Sequence, residues 1–178
     1  MPLIQKSDAL HGKNLVLRNV TINDAEFIVS LRTDPRKSKY LSPISGNIEE
    51  QINWLKSYQK SNNQAYFIIC NQDAGRVGCI RIYDPQGFNY TWGSWLMIDG
   101  LPPTYALEVV ALIFYYGKYL GFKTATLTVR KDNDSVWRFH ENFLGAKRVG
   151  GDELSYLLLF DEQIIDTNIK KLSKFLIT

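Results

Sequence analysis

Two histidines and two cysteines are the residues of this chain best suited to proton transfer, nucleophilic attack or metal binding. His140 shares one face of a helical pattern with Val136 and Phe143, directly after Phe139. An imidazole with an unperturbed pKa of about 6.5 can give or take a proton near neutrality. The competing reading is a hydrogen-bonded histidine on a partly buried face. His11 lies in a polar N-terminal segment and reads as structural or solvent-exposed. Cys70 and Cys79 each fall inside an apolar run, as buried free thiols do in a reducing compartment. If they lie on adjacent strands they can be neighbours. With no CxxC pair and no His/Cys cluster, no metal site is expected.

A second stretch invites anion chemistry. Residues 88–108 pass from a strand-like segment through Gly100-Leu101-Pro102-Pro103 into a helix. Strand, short loop and helix N-terminus is the layout of a phosphate cradle, because the first helical N–H groups lack partners and the helix dipole favours negative charge. Pro102 and Pro103 have no N–H to offer, whereas Leu101, Thr104, Tyr105 and Ala106 do. The same residues also read as nothing more than a rigid helix start, since proline is favoured in the first turn.

These residues need a scaffold to hold them. Leu15 to Val20 reads as a strand. A helix with Ala25, Ile28, Val29 and Leu31 on one face ends before Pro35, and another starts near Asn47 with Ile48, Ile52, Leu55 and Tyr58. Strands are expected at Ala65 to Asn71, Arg76 to Tyr83 and about Asn89 to Met97, with turns at Gln72–Gly75 and Asp84–Gly87. Tyr105 to Leu120 is the strongest helix and Gly121 ends it. A strand at Ala125 to Arg130, a helix at Asp134 to Leu144, a strand at Leu154 to Phe160 and an amphipathic helix at Ile164 to Leu176 complete the order β, α, α, β, β, β, α, β, α, β, α. That order predicts an α/β domain with a mixed sheet.

Composition narrows the classes. The chain has 178 residues, 45% hydrophobic and 13% aromatic, enough for one globular domain with a substantial core. The charge of +3 permits anionic ligands but is far from the field of a dedicated nucleic-acid binder, so no nucleic-acid partner is expected. No run is long enough to span a membrane, and the polar start after Met1-Pro2-Leu3-Ile4 is unlike a signal peptide; a cytoplasmic protein with no membrane partner is expected.

The element order and three local stretches resemble the GCN5-related N-acetyltransferase (GNAT) superfamily, in its ribosomal-protein-acetyltransferase-like branch. Leu31-Arg32-Thr33-Asp34-Pro35 is similar to the segment that ends the family's first helix. Gly93 and Trp95 match its central-strand Gly-x-Trp, and Tyr105-Ala106-Leu107-Glu108 its following helix start. Thr128 to Ser135 resembles the strand-to-helix junction where the family places an Asn beside the cofactor, followed by Gly145-Ala146-Lys147-Arg148-Val149. Trp92-Gly93-Ser94-Trp95, the Pro-Pro loop and Phe139-His140-Glu141 together look like the GNAT enzymes of surface-polysaccharide (O-antigen) biosynthesis that acylate an amine on a nucleotide-linked deoxysugar.

The resemblance implies a GNAT fold: a mixed central sheet with a splayed central strand pair and helices on both faces, over residues 1–178 with 161–178 as a helical extension. It implies acetyl-CoA or another acyl-CoA as cosubstrate and no metal. Leu96, Met97 and Ile98 would pair with the pantetheine arm. Leu101, Thr104, Tyr105 and Ala106 would hold the pyrophosphate, and Arg130, Asn133, Ser135 and Phe139 would complete the cofactor site. The family's central-strand Glu base is replaced by Thr91, which cannot serve, and His140 falls where the family has an acidic Tyr. His140 would there serve as the catalytic acid or base; in the competing reading the amine loses its proton to water or to Asp84 or Asp99 and catalysis rests mainly on positioning. Arg32, Arg36, Lys39 and Tyr40, with Tyr83, Asp84 and Trp95, would meet the acceptor, and each charge among them also reads as an ordinary solvated one. Trp54 and Trp137 read as core or interface aromatics. The alternatives are a protein N-terminal or lysine acetyltransferase and an inactive acyl-CoA-binding module. The tail after Phe160 can pack within the chain or across a homo-oligomer interface.

Overall fold

In the computed structural model, which describes residues 1–177, eight strands form one sheet in the order β1-β2-β3-β4-β5-β6-β8-β7. The strands are β1 (Ala9–His11), β2 (Leu15–Asn19), β3 (Ala65–Asn71), β4 (Arg76–Gln86), β5 (Asn89–Met97), β6 (Thr124–Arg130), β7 (Lys147–Gly151) and β8 (Ser155–Phe160). Every neighbouring pair is antiparallel except β5 and β6. The helices are α1 (Ala25–Thr33), α2 (Pro35–Ser38), α3 (Ile48–Lys60), α4 (Thr104–Tyr119), α5 (Asp134–Arg138) and α6 (Glu162–Lys171).

The sheet has a separate core on each face, so its middle strands carry apolar residues on both sides. Ala65 to Cys70 of β3 are buried without a break, as expected of a strand covered on both faces. One core joins Ile28 and Leu31 of α1 and Leu55 and Tyr58 of α3 to Tyr66, Ile68, Cys79 and Leu96. The other joins Val109, Val110, Ile113 and Phe114 of α4 and Ile165 of α6 to Phe67, Ile80, Trp92, Leu127 and Phe160. Helices on both faces of a mixed sheet are the expected architecture.

Several elements differ from expectation. β1 and β7 are edge strands, short or wholly exposed, with little apolar pattern to announce them. β4 runs past Tyr83 to Gln86, which pairs with Asn89, so the hairpin turn is Gly87-Phe88 and not Asp84–Gly87. Asp84 takes a left-handed φ of 50° at the irregular register there. The expected helix 134–144 is α helical only to Arg138. Phe139–Phe143 forms a π turn, with the Leu144 N–H donating to the Phe139 carbonyl at 3.2 Å. Cys70 and Cys79 lie on adjacent strands as free, buried thiols, out of register with one another.

Candidate active site

β5 and β6 form the core of the site. They pair in parallel only over Asn89, Tyr90 and Thr91 against Thr124, Ala125 and Thr126. Beyond Thr91 the β6-facing edge of β5 has no strand partner, while its other edge stays paired to β4. This opens a wedge lined by unpaired backbone groups, which an extended amide-bearing chain can fill. Thr91 closes the apex, its Oγ1 3.3 Å from Thr126 Oγ1. A hydroxyl there offers no proton sink, as expected from the sequence.

A bulge in β5 decides which side chains meet. Arg81 pairs with Gly93 and Cys79 with Leu96, so β5 carries one extra residue, and Ser94 adopts a φ of 49°. The extra residue places Trp92 and Trp95 on one face, with ring centroids 5.8 Å apart. Strict alternation would have put them on opposite faces.

At the end of β5 the chain turns through Asp99 and Gly100 into α4. The Leu101 side chain packs into the core, Thr104 is the exposed first residue of α4, and Ala106 lies within its first turn. Two expected donors are engaged: the Tyr105 N–H bonds the Pro102 carbonyl at 3.0 Å, and the Ile98 N–H bonds Val77 at 2.9 Å. Leu96 and Met97 remain on the wedge edge, paired to β4 on their other side. The start of α4 is anchored by Glu108. Its buried carboxylate accepts from the Asn14 N–H at 2.7 Å, the Leu15 N–H at 2.9 Å and the Asn14 amide at 2.9 Å. Gly12 allows this approach, since a Cβ there would lie 2.3 Å from Glu108 Oε1. An open wedge beside a fixed helix N-terminus suits a pantetheine arm and pyrophosphate.

On the α1/α3 face a cavity of about 340 Å³ opens beside β5. Arg32, Ser45, Asn47, Glu50, Gln51, Trp54, Tyr66, Arg81 and Ser94 supply its polar and aromatic wall. Arg81 lies over the rings of Trp54 and Tyr83, at 5.2 and 4.4 Å, and donates from Nε to Gln64 at 3.0 Å. Burial first, and the Arg32 charge as well, push the Arg81 guanidinium below its ordinary pKa. Arg32 donates to the Ser42 carbonyl at 2.9 Å, and its buried Nε has no partner among the described residues. Among the described residues neither arginine forms an ion pair.

Other expected acceptor residues lie elsewhere. Arg36 pairs with Asp34 and with Asp99, and Lys37 also pairs with Asp99. Those contacts hold the Asp99 carboxyl below the usual range, which disfavours it as a base. Lys39 lies over the Tyr40 ring, and the Tyr40 hydroxyl reaches the Asp132 carbonyl at 3.4 Å. Asp84 accepts from Gln86. Tyr83 lies under Arg81 and against Gly93 of β5, where a Cβ would meet its hydroxyl at 3.2 Å, and Trp95 faces the other core. Trp54, expected in the core or at an interface, lines the cavity. Arg81 gave a usable signal, a lone cation between apolar Ile80 and Ile82. Glu50, Gln51 and Asn47 gave none beyond a helix start.

On the α4/α5 face His140 is fully buried, with Trp92, Trp95, Phe139 and Phe160 as its ring neighbours at 5.2–6.3 Å. Among the described residues neither imidazole nitrogen has a hydrogen-bond partner, and neither indole N–H of Trp92 or Trp95 has one. Burial pushes the His140 pKa down to about 4, so the ring is neutral at pH 7. At the β6–α5 junction Arg130 is paired with Asp132, Asn133 starts α5, Ser135 is exposed in its first turn, and Phe139 stacks on Phe143 at 5.6 Å. These residues follow the C-terminal end of β6, the end at which β5 and β6 have parted.

Comparison with known proteins places this architecture. The acetyltransferase (GNAT) domain profile matches residues 14–144. A structure described as apo FdhC, a nucleotide-linked sugar GNAT, is 29% identical, with a TM-score of 0.83 over 94% of this chain and 98% of that one. A probable GNAT-family acetyltransferase from Chromobacterium violaceum is 15% identical, with a TM-score of 0.78 over 93% and 92%. The Vibrio cholerae spermidine N-acetyltransferase, in complex with CoA and spermine, is 14% identical, with a TM-score of 0.75 over 85% and 97%. A comparison with curated protein sequences found no match. With its splayed strand pair, helix-capped wedge and matching domain profile, the chain belongs to the GNAT family of N-acyltransferases.

Proposed function

We propose that the protein transfers an acetyl or longer acyl group from acyl-CoA to the amine of a nucleotide-linked amino sugar. The observation that carries this reading is the pair Arg32 and Arg81, two guanidinium groups on one cavity wall with no ion-pair partner among the described residues. Two cations so placed repel one another and favour an anionic ligand, and guanidinium forks match phosphate oxygens. A diphosphate supplies that charge. A polyamine acceptor would be repelled from the same wall. Trp54 and Tyr66 add aromatic surface for a base or sugar ring. The likeness to the nucleotide-linked sugar GNAT points the same way.

In this reading the wedge between β5 and β6 receives the pantetheine arm, the start of α4 receives the pyrophosphate, and the amine approaches from the cavity beside Ser94. His140 belongs to the wall behind the thioester as a neutral imidazole, not as a charged acid. The chain acts as one acyltransferase domain with a helical extension after Phe160, formed by Glu162–Lys171 and Ser173–Phe175, and residue 178 lies outside the described residues.

The test offers acetyl-CoA and longer acyl-CoAs with a panel of dTDP- and UDP-linked amino sugars, spermidine and a ribosomal-protein peptide, following release of free thiol. Turnover is expected with a nucleotide-linked amino sugar. Turnover with the peptide or spermidine and none with any sugar would overturn the proposal.

A further inference from the structure

The cavity has one carboxylate on its wall, and the chemistry at the site lacks a base. Among the described residues, Glu50 is the only acidic one lining it. Thr91 is bonded to Thr126 at the wedge apex, Asp99 is paired with Lys37 and Arg36, and Asp84 lies off the cavity. His140 is on the opposite face of the sheet.

Glu50 is also released from the duty its position suggests. It stands three residues after the N-cap Asn47, where a Glu usually reaches back to the N-cap N–H. Here the Asn47 N–H bonds Ser45 Oγ at 3.1 Å, and the Asn47 side chain caps the N–H groups of Glu49 and Glu50 at 2.8 and 3.2 Å. The cap is complete without the Glu50 carboxylate. That carboxylate instead accepts from the Ser45 hydroxyl, which orients it at the cavity wall shared with Arg32, Arg81 and Ser94.

We propose that Glu50 receives the acceptor's ammonium group in this cavity and takes its proton. The assignment rests on the acceptor reading above for the nature of the amine, but not for the role of the carboxylate. One ammonium proton passes to the Glu50 carboxylate and then to water. The freed nitrogen lone pair forms the N–C bond to the thioester carbonyl carbon. The C–S bond breaks, and the departing thiolate takes the second proton lost by the nitrogen. The products are the amide, free thiol and one proton. The charged and titratable groups facing Glu50 across the cavity are Arg32 of α1, Tyr66 of β3 and Arg81 of β4. Glu50 thus supplies the one negative charge where the diphosphate subsite has two positive ones, so a zwitterionic ligand fits at both ends.

The test compares wild type with Glu50→Gln on whichever amine of the panel the wild type turns over, from pH 6 to 9.5. Glu50→Gln is expected to lose at least about 100-fold in kcat at pH 7. Its loss should shrink as pH rises and free amine becomes available in solution, while KM for acyl-CoA and the thermal midpoint stay unchanged. A variant that keeps more than a tenth of kcat with the wild-type pH profile overturns the proposal. So does a rise in the amine KM alone. If the amine turned over is not a nucleotide sugar but Glu50→Gln still shows the pH-rescued loss, the acceptor reading fails and the Glu50 assignment stands. A wild type inactive on every amine refutes both.

Discussion

Protonating His140 should unfold this protein far more readily than protonating an exposed histidine. Its imidazole is buried among Trp92, Trp95, Phe139 and Phe160, and burial lowers its pKa from 6.5 to about 4. Well above pH 6.5 the ring is neutral in both folded and unfolded chains and contributes no pH dependence. As pH falls below 6.5 the unfolded chain binds the proton first, so folding stability drops until the folded ring also titrates near pH 4. With those two values the loss is about 2 kcal/mol at pH 5 and about 3 kcal/mol once both states are protonated. Urea unfolding of wild type and His140→Leu at half-unit steps from pH 7.5 to 5 isolates this contribution, because carboxylate effects are common to both proteins. The wild-type stability minus that of the variant should fall by about 2 kcal/mol across the range. A difference that stays level within about 0.5 kcal/mol would refute the burial argument. It would mean that the ring keeps an ordinary pKa and is available as an imidazolium acid. If the argument holds, only about 0.1% of His140 is protonated at pH 7, and the catalytic pH profile should show no limb from it between pH 6 and 8.

Other perturbations test separate parts of the structure. Arg81→Met keeps the stem between Trp54 and Tyr83 but removes the charge. It should raise KM for the nucleotide-linked acceptor about 10- to 100-fold with little change in KM for acyl-CoA, read by thiol release. Asp24, with its carboxylate buried, holds Arg18 through two bonds of 2.7 and 2.8 Å and the Thr21 N–H at 2.8 Å. Asp24→Ala should destabilise the fold by about 3 kcal/mol in urea unfolding. Gly12→Ala should push Glu108 off the β1–β2 turn and displace the start of α4. The expected result is a higher KM for acyl-CoA together with a lower thermal midpoint.

What could be read in the chain followed the strength of its periodic signal. α1, α3 and α4 and the strands β2, β3, β5 and β6 carry unbroken apolar patterns because each must fill a core, and they lie where the sequence put them. β1 and β7 contribute backbone pairing at the edges and little side-chain burial, so composition does not mark them. The end of β5 and the start of α4, where the cofactor was expected, were legible because a helix N-terminus is a local feature. Even there, the amides of Ile98 and Tyr105 are bonded within the chain, a detail that depends on three-dimensional pairing. Of the cavity beside β5 only Arg32 was picked out from the sequence as an acceptor residue. Its wall draws on α1, α3, β3, β4, β5 and the loop at Pro43 to Ser45, and no window of sequence contains them together.

The bulge at Ser94 shows why one residue of register governs the chemistry. In an unbroken strand Trp92 and Ser94 would share a face and Trp95 would point toward the α1/α3 side. There its indole would lie beside the cavity lined by Arg32 and Arg81, on the acceptor side expected from the sequence. The extra residue turns Trp95 back beside Trp92 and His140, and it leaves Ser94 on the cavity wall. A small polar residue therefore faces the acceptor side, while two indoles and an imidazole fill the opposite side. The bulge follows closely on Thr91, where pairing to β6 ends and the wedge opens. A strand that slid into regular register would lose the cavity wall and the aromatic cluster together. The two faces of the site are one structural unit, set by the conformation of a single serine.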